Sequence, residues 1–275
     1  MNKEIKPFLR WIGGKQNLIK FLIKFVPEDY NKHKYYEPFL GAGSMFFKII
    51  PDNAYLSDYN FHLINCYKMI AEYPYKVHNL LNLFLKNDSK KYYYKIRANF
   101  NRNIKKFSYV QAAKFIYLNK TCFNGIYRVN KEGSFNVPYG YKENLSIPTL
   151  QYLNDLSFIL KKVKLECFSY ENIYSLVKKG DFVYLDPPYP PLNGSSYFSH
   201  YTKERFFSDD QKRLAVFAEK LSNKGCNVLI SNADTKEIRE LYLKWYKKPI
   251  DVVRYVSCKS KRRRVKELII ANYEI

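Results

Sequence analysis

Acidic residues, paired cysteines and long apolar runs are all scarce in this chain of 275 residues, and each scarcity removes a class of protein. Asp and Glu number 25 against 47 Lys and Arg, which leaves a formal net charge of +22. A surface that positive favours a polyanionic partner, because cationic side chains gain affinity for phosphates by releasing their counterions. The five cysteines (Cys66, Cys122, Cys167, Cys226, Cys258) are odd in number and widely spaced, with no Cys-x-x-Cys pair. That pattern argues against a disulfide framework or a zinc site and for a reduced, cytoplasmic setting. His33, His62, His78 and His200 form no metal or nucleophile pattern either, so no metal is expected. No apolar run approaches the roughly 18 residues that a membrane span needs. The segment Met1-Asn2-Lys3-Glu4-Ile5-Lys6-Pro7 lacks the apolar stretch of a signal peptide, so no membrane association is expected.

What is present is core material. The chain is 47% hydrophobic and 26% charged, which excludes a disordered tail and suits one large domain or one domain carrying an insertion. Aromatics reach 18%, so the basic surface carries stacking groups as well. Two stretches alternate strand-like and helix-like patterns. Tyr35-Tyr36-Glu37-Pro38-Phe39 reads as a strand, Gly41-Ala42-Gly43-Ser44 as a tight turn, and Met45-Phe46-Phe47-Lys48-Ile49 as a helix start. Ala54-Tyr55-Leu56-Ser57 is a second strand, ending at Asp58. After Ile173 the alternation returns. Phe182-Val183-Tyr184-Leu185 is a strand stopped by Asp186-Pro187-Pro188-Tyr189, residues 211–222 have helical spacing, and residues 226–231 and 265–273 read as strands. Alternation of this kind implies a parallel sheet covered on both faces. Residues 61–147 lack it. Leu63, Tyr67 and Ile70, then Val110, Ala113, Lys114 and Tyr117, keep helical spacing, and Asn124-Gly125 and Lys131-Glu132-Gly133 supply turns. The expected organisation is a discontinuous core, 1–60 with 148–275, interrupted by a mostly helical insertion, 61–147, that ends in a hairpin at about 120–140.

Three segments carry chemistry. Asp186-Pro187-Pro188-Tyr189 follows an apolar strand, and ligands of open parallel sheets bind just outside the carboxyl ends of strands. A carboxylate beside the Pro187 carbonyl offers two acceptors, which suits an exocyclic amine with two hydrogens, and Tyr189 offers a flat face for a base. Alone, the motif also reads as a strand stopped by two prolines. Glu37-Pro38-Phe39-Leu40-Gly41-Ala42-Gly43-Ser44, followed by Ser57-Asp58, combines a glycine turn at a helix start with an acid able to bind ribose hydroxyls. Asp58 alone could equally be a helix cap. The third glycine of the dinucleotide fingerprint is missing, which favours an adenosine cofactor without a pyrophosphate. Pro7-Phe8-Leu9-Arg10-Trp11-Ile12-Gly13-Gly14-Lys15 sets one of two tryptophans beside a Gly-Gly-Lys turn; by itself this is a core Trp and an exposed Lys.

In this order and spacing, the three segments resemble the Dam-type DNA adenine-N6 methyltransferases of the D12 group. The likeness extends to Lys120-Thr121-Cys122-Phe123-Asn124-Gly125-Ile126-Tyr127-Arg128-Val129-Asn130 with Gly133-Ser134-Phe135-Asn136-Val137-Pro138, which is similar to the family's target-recognition hairpin, and runs from about Pro7 to Tyr273. The resemblance implies an α/β fold: a Rossmann-like methyltransferase core dependent on S-adenosylmethionine, with a mostly helical target-recognition insertion. It implies that Trp11, Lys15, Glu37, Phe39, Gly41, Gly43, Asp58 and Asp186 bind the cofactor, which leaves as S-adenosylhomocysteine. It implies that Asp186, Pro187, Pro188 and Tyr189 hold a flipped-out adenine for methylation at N6. It further implies double-stranded DNA as partner, with Phe123, Asn124, Ile126, Arg128 and Pro138 contacting a GATC site. Phe123 stands where some members carry Tyr. On the residues alone, Arg128 could read a guanine edge, contact a phosphate or form a hairpin salt bridge, and Phe123 could fill the gap of a flipped base or lie in the core. The basic run containing Lys261, Arg262, Arg263 and Arg264 reads as a loop that contacts phosphates, a solvated face or a targeting signal.

Rival readings are the same transfer at another site or on RNA, transfer to cytosine N4, a non-catalytic binding module on a decayed core, and an NAD-dependent oxidoreductase. Cytosine-N4 enzymes more often carry Ser where Asp186 stands, and the intact Trp11, Lys15, Asp58 and Asp186 set argues against decay. A monomer is expected, and a cognate restriction endonuclease is a conceivable genetic associate. The small, polar segment Leu192-Asn193-Gly194-Ser195-Ser196-Tyr197 is expected to be a loop that orders on substrate binding.

Overall fold

Four apolar residues in a row, Phe182 to Leu185, are all buried, as expected for a strand covered by helices on both faces. This strand, β4 (Phe182–Leu185), lies at the centre of the computed structural model, which describes residues 5–16, 18–190, 206–254 and 263–274. In chain order the elements are α1 (Ile19–Leu22), β1 (Tyr35–Glu37), α2 (Ser44–Ile49), β2 (Ala54–Ser57), α3 (Phe61–Glu72), α4 (Pro74–Lys86), α5 (Lys90–Arg102), α6 (Tyr109–Thr121), α7 (Leu150–Leu160) and β3 (Lys164–Glu166). After β4 come α8 (Ser208–Asn223), β5 (Asn227–Ala233), α9 (Lys236–Leu241), β6 (Tyr246–Arg254) and β7 (Arg263–Ala271). The sheet order is β3-β2-β1-β4-β5-β7-β6. The strands from β3 to β5 pair in parallel, and β7 runs antiparallel to both β5 and β6.

The mixed α/β architecture agrees with the pattern in the sequence, with two corrections. The sheet is not wholly parallel: the last two strands form an antiparallel pair at one edge. The basic run is not wholly a loop either. Arg263 and Arg264 open β7, opposite Arg254 and Val253, whereas Lys261 and Arg262 lie outside the described residues, as does the segment 192–197. β6 escapes notice in the sequence because Tyr-Lys-Lys-Pro-Ile-Asp is polar and contains proline, a residue that sheets confine to edge strands and strand starts.

Alternate residues of the strands feed two cores. Tyr35, Phe182, Tyr184, Leu229 and Ile269 face one layer, continuous with buried residues of α3 to α7. Tyr36, Val183, Leu185, Ile230 and Ile270 face the other, against Leu214, Phe217, Ala218 and Leu221 of α8 and Trp245. Each such side chain contributes about 1.5–3 kcal/mol on burial. The helices begin where polar caps demand it. Asn60 accepts from the amides of His62 and Leu63, Ser108 from Gln111, Thr149 from Tyr152 and Thr235 from Ile238. After α6 the chain turns back on itself through the antiparallel bridges Cys122↔Tyr139 and Val129↔Phe135.

The connections matter most for function. From β1 the chain goes outward to β2 and β3, then returns to β4 on the other side of β1. The order reverses between β1 and β4, and such a reversal opens a crevice at the carboxyl ends of the two strands. Glu37 ends β1, and Asp186 follows β4.

Candidate active site

Lys15 is a lysine with only 5% of its side chain exposed, and its Nζ lies 2.7 Å from Asp186 Oδ1. The same ammonium donates to the carbonyl of Gly13 at 2.8 Å and lies 4.3 Å from the centre of the Tyr189 ring. Asp186 Oδ1 also accepts from Ser231 Oγ at 2.8 Å. Tyr184 and Ser231 share a hydrogen bond of 2.9 Å, and since Ser231 spends its one hydrogen on Asp186, Tyr184 donates. The result is a relay, Tyr184 to Ser231 to Asp186, closed from the other side by Lys15. Burial pushes the Asp186 carboxyl up from its usual range, against the pull of Lys15 and Ser231.

The rest of the turn is braced from α8 and β7. Gln211 Nε2 donates to the carbonyl of Pro188 at 2.9 Å, and Gln211 Oε1 accepts from Asn232 Nδ2 at 2.9 Å. Tyr189 donates from its hydroxyl to Glu267 Oε2 at 2.8 Å, and Glu267 is 3% exposed. Pro187 is buried and Pro188 half-buried.

Across the crevice, Glu37 is buried. Its Oε2 accepts from Tyr35 OH at 2.8 Å and from the Phe46 amide at 3.1 Å. Burial raises its carboxyl to about 8, helped by the nearby charges of Asp186 and Asp58 and resisted by its two hydrogen bonds. Asp58 accepts from the amides of Gly41 (2.9 Å) and Asn60 (2.8 Å), and burial still lifts it to about 6. Its two oxygens offer about four acceptor positions, so it retains capacity for hydroxyl donors. Gly41 adopts φ +49°, and a Cβ there would meet the Trp11 ring at 3.0 Å. Gly43, at φ +69°, is the residue from which α2 starts. Phe39 is half-buried, stacked on Tyr170 with centroids 5.2 Å apart and edge-on to Phe206.

The hairpin residues form a second group. Phe123 is half exposed and its amide donates to the carbonyl of Pro138 at 2.9 Å. Asn124 is exposed in a left-handed conformation (φ 57°). Ile126 is half-buried. Arg128 is exposed, its Nε on Asn136 Oδ1 at 2.8 Å across the hairpin. Phe123, Asn124, Arg128 and Pro138 are thus all exposed residues of the hairpin segment. The side chains of Arg263 and Arg264 lie outside what the structure describes.

Sequence reasoning did not single out Ser231, Glu267, Gln211 or Tyr184. Ser231 had only a faint signal, a polar residue at the end of the apolar run Val228-Leu229-Ile230. Glu267 had a similar one, an acid immediately before the apolar run Leu268-Ile269-Ile270-Ala271 that ends β7.

A family profile for the D12 class N6 adenine-specific DNA methyltransferases matches residues 11–257. The chain belongs to this family. Membership makes it an adenine-specific DNA methyltransferase with a Rossmann-like fold, and implies S-adenosylmethionine as methyl donor and DNA as substrate. This D12 methyltransferase is 39% identical to the Type II methyltransferase M.MjaIII of Methanocaldococcus jannaschii, over 98% of this chain and 100% of the relative. It is 36% identical to the Type II methyltransferase M1.LlaDCHI of Lactococcus lactis subsp. cremoris, over 98% and 96%. To the DNA adenine methylase of Escherichia coli (strain K12) the identity is 31%, over 99% and 96%. No described helix of the methyltransferase is long and apolar enough to cross a membrane.

Proposed function

We propose that this D12 methyltransferase methylates the N6 amine of an adenine flipped out of duplex DNA, within GATC, and that the crevice between β1 and β4 is where it does so. The observation that carries the reading is Asp186, a carboxylate kept in a mostly buried turn by Lys15 and Ser231, beside Pro187 and Tyr189 at the sheet's reversal point.

The adenine amine is a poor nucleophile because its lone pair is delocalised into the ring. In this reading its two N–H groups donate to Asp186 and to the Pro187 carbonyl, which favours a pyramidal nitrogen and directs the lone pair. Lys15 favours the ionised, accepting form of Asp186, and Ser231 orients it. Tyr189 stacks on the base, recovering part of the few kcal/mol that extrusion costs. Positioning and electrostatics supply the rate, and no covalent enzyme intermediate is needed.

The residues opposite suit S-adenosylmethionine. The Gly41 to Gly43 turn keeps backbone open at the start of α2, Asp58 has acceptor capacity for ribose hydroxyls, and Phe39 offers a flat apolar wall. Trp11, Lys15, Glu37 and Asp186 complete the set that would hold it. When bound, it supplies a methyl group activated by a sulfonium.

We assign recognition to residues 61–147, with Phe123, Asn124, Ile126, Arg128 and Pro138 contacting the site, and phosphate contacts to the run of Lys261, Arg262, Arg263 and Arg264. GATC rests on the likeness of the hairpin to Dam-type members, several of which are named DNA adenine methylases. Other relatives are named Type II methyltransferases, which keeps a cognate endonuclease as a genetic associate in view. The test is transfer of a radiolabelled methyl group from S-adenosylmethionine to two duplexes differing only in one GATC. Label on the GATC duplex alone, recovered as N6-methyladenine, is expected. Label on both would overturn the specificity, and label on neither would overturn the site.

A further inference from the structure

Asn119, in the last turn of α6, is 2% exposed and uses its amide on the main chain of a segment 109 residues away. Its Oδ1 accepts from the Arg10 amide at 3.0 Å, and its Nδ2 donates to the Arg10 carbonyl at 2.8 Å. The same Nδ2 donates to the carbonyl of Gly125, in the recognition hairpin, at 3.2 Å. One side chain therefore imitates a strand partner for Arg10 and ties it to the hairpin. The approach is close: a Cβ on Gly125 would fall 2.4 Å from Arg10 Cδ.

A second clasp lies beside it. Tyr127, buried in the hairpin, stacks on Trp11 with centroids 5.6 Å apart and planes 16° apart. Its hydroxyl bonds with the side chain of Asn60. Asn60 in turn donates its amide to Asp58 Oδ1 and caps α3. The hairpin thus reaches residues beside or within the cofactor set on both sides, Trp11 through a ring and Asp58 through one intervening residue. Neither Asn119 nor Tyr127 is itself in that set.

We propose that Asn119 and Tyr127 are positioning residues that couple the cofactor site to the recognition hairpin, so that cofactor binding and sequence reading strengthen each other. This rests on the assignment of cofactor and hairpin made above. Coupling of two ligands through one protein is reciprocal, so it can be read from either side. The two clasps between the segments give such coupling a physical route, since contacts shared by both sites let each bias the arrangement of the other.

The experiment measures the affinity of S-adenosylhomocysteine by calorimetry, alone and with a GATC duplex, for the wild type, Asn119→Ala and Tyr127→Phe. Rates on GATC and on a duplex with one base pair changed are measured alongside. The wild type should bind S-adenosylhomocysteine more tightly with the duplex present. Each folded variant should lose at least fivefold of that tightening, and discriminate less between the duplexes, while its affinity without DNA stays within twofold. Tyr127→Phe keeps the ring stack and loses only the hydroxyl, so it decides the matter if Asn119→Ala does not fold. Full tightening in either folded variant overturns the proposal. So does a wild type that binds S-adenosylhomocysteine and methylates DNA without any tightening. A wild type that neither binds it nor methylates DNA overturns instead the functional assignment beneath.

Discussion

Removing the charge of Asp186 should destabilise the protein chiefly by stranding Lys15. The Lys15 side chain is 5% exposed and that of Asp186 19%, and their charges lie 2.7 Å apart. Breaking a fully buried pair by deleting one partner costs about 3–5 kcal/mol, because the other charge is left uncompensated. Asp186→Asn keeps an oxygen at the same place, and Lys15 keeps the Gly13 carbonyl and the Tyr189 face, so the expected cost is about 2 kcal/mol. Lys15→Met should cost less, about 1 kcal/mol, since a carboxyl already pushed upward by burial can take a proton instead. The double variant holds neither charge and should be no less stable than Asp186→Asn. The coupling in the double-mutant cycle is then about 1 kcal/mol or more. Urea unfolding of all four proteins at pH 7.5, with unchanged slopes, measures it. Single effects that simply add, within about 0.5 kcal/mol, would refute the claim that the pair is one electrostatic unit. The cycle has a catalytic counterpart. Lys15→Met removes the strongest pull holding the Asp186 carboxyl down, so its ionisation moves to higher pH. At saturating cofactor, the acidic limb of the single-turnover rate should move the same way.

Further expectations follow from neighbouring groups. Glu37 titrates at about 8 in the fold against 4.5 ordinarily, so the folded state holds its proton more tightly. Its contribution is therefore present in full below pH 4.5 and is lost as pH rises through about 8; Glu37→Gln should remove that slope, a difference of about 4 kcal/mol between pH 4.5 and 8.5 by denaturant titration. Tyr189→Phe keeps the stacking face and loses the 2.8 Å bond to Glu267, so unfolding should show a loss of about 1.5–3 kcal/mol. The same variant should keep most of the methyl-transfer rate, whereas Tyr189→Ala should lose far more. Arg128→Ala should cost about 1–3 kcal/mol of discrimination at the outer G, measured as relative single-turnover rates on GATC and on a duplex altered at that base pair. Asp186→Ala should abolish turnover while leaving duplex binding by gel shift largely intact; near-normal turnover would sink the amine-acceptor role.

Much of this molecule is written locally. A buried parallel strand needs continuous apolar residues, so Phe182-Val183-Tyr184-Leu185 announces itself, and the Asp-Pro-Pro-Tyr that stops it marks where a ligand can lie. The same holds for the glycine turn after β1, where positive φ at Gly41 and Gly43 requires residues without a Cβ. What sequence order could not convey is anything decided by strands far apart in the chain. Ser231 and Glu267 reach Asp186 and Tyr189 only because β5 lies beside β4 and β7 beside β5. The antiparallel edge was likewise hidden, since β6 is polar and strand direction depends on how the chain returns rather than on residue type. Lys15, a surface residue by its chemistry, is buried because Asp186, 171 positions later, supplies the charge that makes burial tolerable. The clasp of Asn119 on Arg10 belongs to the same class. An asparagine at the end of a helix carries no local sign of its partner, and only the packing of the helical layer against the N-terminal segment brings the two together. The sequence alone therefore determined most of the elements, the turns and which segments could carry chemistry, because these depend on neighbours along the chain. The tertiary structure decided which charges are compensated, which carboxyls are pushed up and how the hairpin is tied to the crevice, because burial and pairing are properties of the assembled fold.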